Sequence, residues 1–156
     1  MNTNRRKTLK GAGSASVLGL AMSAGLLRPG AAWAQAWNKA AFDTKTLPDT
    51  VKALGGSSAI ESKEITITSP DIAENGAVVP FTVASKLAKT ESIALLVEKN
   101  PNALTANFLI PAGTEPGVTT RVKMGQTSNV IALVKADGKF YYTTKEVKVT
   151  LGGCGG

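Results

Sequence analysis

Cys154 is the side chain of this sequence best suited to covalent chemistry. It is the single cysteine of 156 residues, and it stands between Gly152-Gly153 and Gly155-Gly156. Four glycines provide no side-chain packing and maximal backbone freedom. A structural cysteine behaves as a small buried hydrophobe, and this one has nothing beside it to bury against. If extended, the three residues beyond Leu151 reach about 10 Å, enough to carry a thiol off a domain and into a narrow site on another protein. No Lys, Arg or His flanks the thiol, and a terminal carboxylate two residues on disfavours the thiolate. The segment reads as a flexible carrier arm that is acted on, with activation supplied by a partner's active site.

The rest of the composition narrows the chemistry further. The chain contains no histidine, which excludes Ser-His-Asp and Cys-His catalysis and His-ligated metals or haem. One cysteine builds neither a structural thiolate site nor an internal disulfide. No catalytic residue, no metal site and no cofactor is expected, and the chain is not expected to be an enzyme.

The N-terminal residues read as an export signal over 1–34. Arg5-Arg6-Lys7 and Lys10 form a basic region, residues 11–27 are free of charge, and Ala32-Trp33-Ala34 offers the small residues of a cleavage site before Gln35. The segment Asn4-Arg5-Arg6-Lys7-Thr8-Leu9-Lys10 matches the twin-arginine pattern Ser/Thr-Arg-Arg-x-Phe-Leu-Lys at the Arg pair, the Leu and the Lys. It departs at Asn4 and Thr8. The uncharged run is short of the roughly 18 residues that suggest a membrane span, so no stable membrane association is expected. Five of the 18 basic residues (Arg5, Arg6, Lys7, Lys10, Arg28) and no acidic residue lie in the signal, leaving 13 basic against 11 acidic residues. That near balance gives no reason to expect nucleic-acid binding.

The elements that must position the arm fall in residues 35–151. Residues 37–56 read as an amphipathic helical segment, with Leu47, Val51 and Leu54 on one face, Thr46 as cap and Gly55-Gly56 as terminator. The period then changes to two. Ile65/Ile67, Val79/Phe81/Val83 and Ile93/Leu95/Val97 mark three strands, and the runs 107–110, 118–123, 130–135 and 140–151 mark four more. Asn75-Gly76 and Asp137-Gly138 read as hairpin turns. Pro101, Pro111 and Pro116 read as loop or edge positions. About seven short strands with frequent turns predict an immunoglobulin-like antiparallel β-sandwich with a short N-terminal helix.

An export signal with paired arginines, one small β domain, a lone cysteine and Gly-Gly-Cys-Gly-Gly together resemble the SoxY family, the sulfur-carrier subunits of bacterial thiosulfate oxidation. The resemblance implies a periplasmic carrier exported folded by the twin-arginine route and paired with a β-rich SoxZ subunit. It further implies that Cys154 is joined oxidatively to thiosulfate by the c-type cytochrome SoxAX. SoxB then releases sulfate, and SoxCD, where present, oxidises the remaining sulfane. A competing expectation from another class is an exported β-sandwich interaction or adhesion module with an incidental cysteine. It accounts for the signal and the fold but not for the arm.

Overall fold

The structure, a computed structural model, describes residues 38–150. The expected signal peptide with Arg5 and Arg6, and the expected carrier arm Gly152, Gly153, Cys154, Gly155 and Gly156, lie outside the described residues.

The helical segment forms two short helices, α1 (Lys39–Phe42) and α2 (Leu47–Ala53). One continuous helix would put Pro48 in its interior, where proline lacks the N–H and clashes with the preceding turn. Instead Thr46 is extended and caps α2, its hydroxyl accepting from the Asp49 N–H. Pro48 then occupies the first turn, where its missing donor costs nothing. Gly55, at φ 89°, takes the chain out of α2 in a conformation that glycine adopts freely.

Nine strands follow: β1 (Ala59–Glu61), β2 (Ile65–Thr68), β3 (Ile72–Ala73), β4 (Val79–Ser85), β5 (Thr90–Val97), β6 (Leu104–Leu109), β7 (Gly117–Val122), β8 (Ser128–Ala136) and β9 (Lys139–Val149). They build the expected β-sandwich. A six-stranded sheet has the order β1-β9-β8-β5-β6, with β3 also on β9, and a three-stranded sheet has the order β2-β4-β7. Two short strands had no signal in the periodicity. Both β1 and β3 pair parallel to β9 and cover parts of its outer edge.

The two sheets enclose one core. Val79, Phe81 and Val83 of β4 point inward while their neighbours are exposed, a clean period of two. They meet Ile93, Leu95 and Val97 of β5 and Val130, Ala132 and Val134 of β8. The large sheet is also covered on its other face. Ala94 and Leu96, Ile131 and Leu133, and Phe140 pack against Ala41 of α1 and Val51 of α2. β5 and β8 therefore read as near-continuous apolar runs, as strands covered on both faces must. Each such buried aliphatic or aromatic side chain contributes about 1.5–3 kcal/mol.

The two turn dipeptides behave differently. Asp137 and Gly138 have φ of 48° and 74° and join β8 to β9 as a hairpin. Asn75-Gly76 is not a hairpin, because β3 and β4 belong to different sheets. The Asn75 side chain accepts from the Ala77 N–H, and the Val78 N–H donates to the Asn75 carbonyl. Gly76 is needed for space: a Cβ there would stand 2.5 Å from the Met124 carbonyl oxygen and 2.8 Å from Val149 Cγ1. Gly76→Ala is expected to cost about 1–3 kcal/mol through forced backbone movement. Gly125→Ala, with open space around the added methyl, should stay within about 0.5 kcal/mol of the parent. Urea denaturation of both variants tests this, and equal stabilities would mean the close approach at Gly76 is absent.

Candidate functional site

The site is built from the end of β9, the strand that leads to Cys154. Antiparallel pairing with β8 ends where Ser128 meets Val147. Beyond that point β9 needs other partners, because unpaired backbone groups at half-buried positions are costly. β3 supplies them on one edge: the Lys148 N–H donates to the Asp71 carbonyl at 2.9 Å, and the Thr150 N–H donates to the Ala73 carbonyl at 3.1 Å. A side chain supplies the other edge. The Val149 N–H donates to Thr127 Oγ1 at 3.0 Å, so a hydroxyl replaces the strand partner that β8 no longer offers. All three last described N–H groups of the strand are thereby bonded.

Side chains reinforce this root. Lys145 Nζ donates to the Ser69 carbonyl at 2.7 Å and forms an ion pair with Asp71 Oδ1 at 3.0 Å, holding the loop between β2 and β3 against β9. The side chain of Val149 lies over Gly76, and the Met124 N–H donates to the Gly76 carbonyl at 2.7 Å. Cys154 is the fourth residue beyond Thr150, so chain length alone keeps its Cα within about 14 Å of the Thr150 Cα.

That reach decides which surfaces concern the thiol. A cleft of about 570 Å³ is lined by Leu87, Lys89, Glu91, Ile110, Pro111 and Pro116 among others. It sits by the β8–β9 turn, at the opposite end of β9, and a strand of eleven residues spans about 35 Å. The cleft is therefore out of the thiol's range. The titration shifts also belong to that far end. A hydrogen bond and the charge of Asp137 hold Lys89 above the usual lysine range, and Lys89 holds Asp137 below the usual carboxylate range. Lys135, and then the Gly138 N–H, hold the Glu91 carboxyl low. These groups are exposed and tie the ends of the β8–β9 hairpin to β5. Among the described residues no group of three or more His, Cys, Asp or Glu side chains could hold a metal ion.

Residues 51–154 match the sulfur oxidation protein SoxY. The chain belongs to the SoxY family. The matched range begins within α2, takes in every strand and ends on Cys154. The chain is also 40% identical to the sulfur carrier protein SoxY from Chlorobium limicola f thiosulfatophilum. That similarity covers 67% of this chain and 96% of that one, with a TM-score of 0.62. A superoxide reductase (neelaredoxin) from Ignicoccus hospitalis is 19% identical over 55% of this chain and 80% of its own, with a TM-score of 0.49. The comparison with curated proteins gives no match.

Membership of the SoxY family makes the components of a Sox system the partners of this chain in general terms. Of the residues singled out from sequence, Cys154, its four glycines and the Arg5-Arg6 pair lie outside the described residues. The root residues Thr127, Asp71, Ala73 and Lys145 were not foreseen. β3 has two residues, too few for a periodic signal, and a single threonine hydroxyl announces no partner before the fold brings it to β9.

Removal of the Thr127 hydroxyl should loosen the root alone. Thr127→Val leaves the Val149 N–H unpaired, a loss of about 1 kcal/mol, so its amide should exchange about fivefold faster while β5 and β8 amides keep their protection. Thr127→Ser should restore the parent rate. Unchanged Val149 exchange in Thr127→Val would mean this bond does not hold the strand end.

Proposed function

We propose that this chain is a periplasmic sulfur carrier that holds thiosulfate-derived sulfur on Cys154 and presents it to the enzymes of a Sox system. The observation that carries the reading is the SoxY match, whose range runs through the domain and ends on Cys154. The 40% identical Chlorobium protein, itself a sulfur carrier, supports the same role. The adhesion alternative has no comparable support.

The chemistry asked of the chain is small. Loading joins the Cys154 sulfur to the sulfane sulfur of thiosulfate. The thiol loses its proton, a sulfur–sulfur bond forms, and two electrons leave to a cytochrome of the SoxAX type. SoxB then hydrolyses the terminal sulfone as sulfate, and SoxCD, where present, oxidises the sulfur that remains before SoxB regenerates the thiol. The chain itself supplies no catalytic group and no cofactor. It keeps the intermediate covalently attached, which prevents loss by diffusion and raises the local concentration at each enzyme. Gly152, Gly153, Gly155 and Gly156 keep the segment around the thiol slim, because glycine carries no Cβ. A SoxZ subunit is the proposed heterodimer partner.

Two experiments test this reading. Incubation with thiosulfate, SoxAX and an electron acceptor should add a thiosulfate-derived mass to the C-terminal peptide. Cys154→Ser should take up none, because a hydroxyl forms no sulfur–sulfur bond. Val at both Gly153 and Gly155 should cut loading at least tenfold while reaction with a small thiol reagent stays near normal. A wild-type chain that never gains the adduct would remove the carrier role. For the address, lysines in place of Arg5 and Arg6 should leave precursor in the cytoplasm, as read by fractionation. Normal export of that variant would overturn the twin-arginine route.

A further inference from the structure

β6 closes one side of the six-stranded sheet and, among the described residues, has no strand beyond it. Its six residues, Leu-Thr-Ala-Asn-Phe-Leu, include no charge, no proline and no glycine. Proteins normally blunt such an edge with charge, proline or shortness, because its free backbone groups invite another strand. The opposite edge of this sheet follows that rule, with three residues in β1 and two in β3. On β6 the Ile110 N–H donates to the Glu91 carbonyl at 2.9 Å. Strand alternation then turns the N–H and C=O of Asn107 and Leu109 away from β5. The Leu109 side chain is 56% exposed.

The sandwich is also open along this side. Ala106 and Ile110 near β6 and Val118 of β7 reach the inter-sheet core but remain only partly buried. Clefts of about 570 and 390 Å³ lie at the two ends of the seam between β6 and β7. The smaller is lined by Asn100, Asn102, Thr105, Arg121 and Lys123 among others, and no acidic residue lines it. Like several other surface lysines, the Arg121 and Lys123 side chains have neither an ion pair nor a hydrogen bond among the described residues, and here two such charges line one cleft without a carboxylate.

We propose that an extended strand of the partner subunit adds to the β6 edge, with an acidic side chain at the end that passes Arg121 and Lys123. Main-chain bonds to Asn107 and Leu109 supply the strand addition, and Leu109 and the half-open seam supply apolar contact. The partner's identity as a SoxZ subunit rests on the proposed function, while the edge and its charge do not. β9 lies three strand spacings from β6, or about 14 Å, so docking here leaves the arm root uncovered and the thiol free to visit enzymes.

Hydrogen exchange of the full chain, alone and with a co-expressed SoxZ subunit, tests the assignment. The Asn107 and Leu109 amides should slow at least tenfold in the complex. Leu109→Lys should weaken the complex at least tenfold. Arg121→Glu combined with Lys123→Glu should weaken it and reverse its salt dependence, with circular dichroism verifying that both variants are folded. Unchanged β6 exchange in the complex would overturn the proposal, as would failure to form a complex. Protection of β6 that rises with the concentration of this chain alone would assign the edge to a second copy and overturn it too. Thiosulfate adducts on Cys154, read in the same samples, keep the two claims apart. A loaded Cys154 with an unprotected β6 sinks the docking site and leaves the carrier standing. A protected β6 with a Cys154 that never loads does the reverse.

Discussion

Backbone hydrogen bonds along both edges of β9 fix the strand from which the chain runs on toward Cys154. On its inner edge β9 runs with β8 from Lys139 to Val147. On its outer edge it takes β1 near its start and β3 near its end. Where β8 stops, the Thr127 hydroxyl continues the ladder by one bond. A β-strand is stiff along its axis when both edges are bonded and frays when they are not. Keeping β9 bonded as far as Thr150 fixes where the chain leaves the domain, and Cys154 is the fourth residue beyond it. In the proposed carrier role a loose root would lengthen the tether and lower the concentration it maintains at a partner site.

That ladder is secure because the sheet it belongs to is buried on two sides. β4 closes one face with Val79, Phe81 and Val83, and the helical pair closes the other around Phe140 and Leu133. Gly56 belongs to this second face. A Cβ there would stand 2.5 Å from the Phe140 ring and 2.8 Å from Val51, so the turn after α2 is pressed onto the start of β9. The helical layer reaches Phe140 and Tyr142, whereas Thr144, Glu146 and Lys148 on the same face of β9 are exposed. On this second face the helical layer covers the start of β9 and leaves its end open.

Ion pairs sit at both ends of β9, Lys145–Asp71 at its root among them. The Lys89–Asp137 and Glu91–Lys135 pairs lie at the β8–β9 turn. Exposed pairs of this kind add little stability individually, but they match charge at that end. Arg121 and Lys123, beside the Asn100 loop, have no such match, and they border the one long edge strand that carries no protecting charge. Unmatched charge beside an unblunted edge is a combination that a buried interface explains more simply than a free surface does.

The sequence by itself pointed to the chemistry proposed for Cys154 and determined much of the fold. A lone cysteine between glycine pairs, with no histidine anywhere, excludes the common catalytic constellations and leaves a thiol to be acted on. The alternation in β4 and the Asp137-Gly138 turn were legible because each depends on local preference: side chains alternate across a strand, and positive φ suits those residues. Where two layers compete for one strand, the local signal fails. β8 is apolar from Val130 to Val134, and its facing could not be read until the helices were seen covering the second face, whereas the Ile93, Leu95 and Val97 face of β5 does turn to the inter-sheet core. Only tertiary structure decided that Asn75-Gly76 separates two sheets, that Gly76 yields space to the Met124 carbonyl, and that β1 and β3 lie parallel to β9. It alone brought Thr127 to the end of that strand. Those contacts join residues distant in sequence, and nothing in the local chemistry of either partner announces the other.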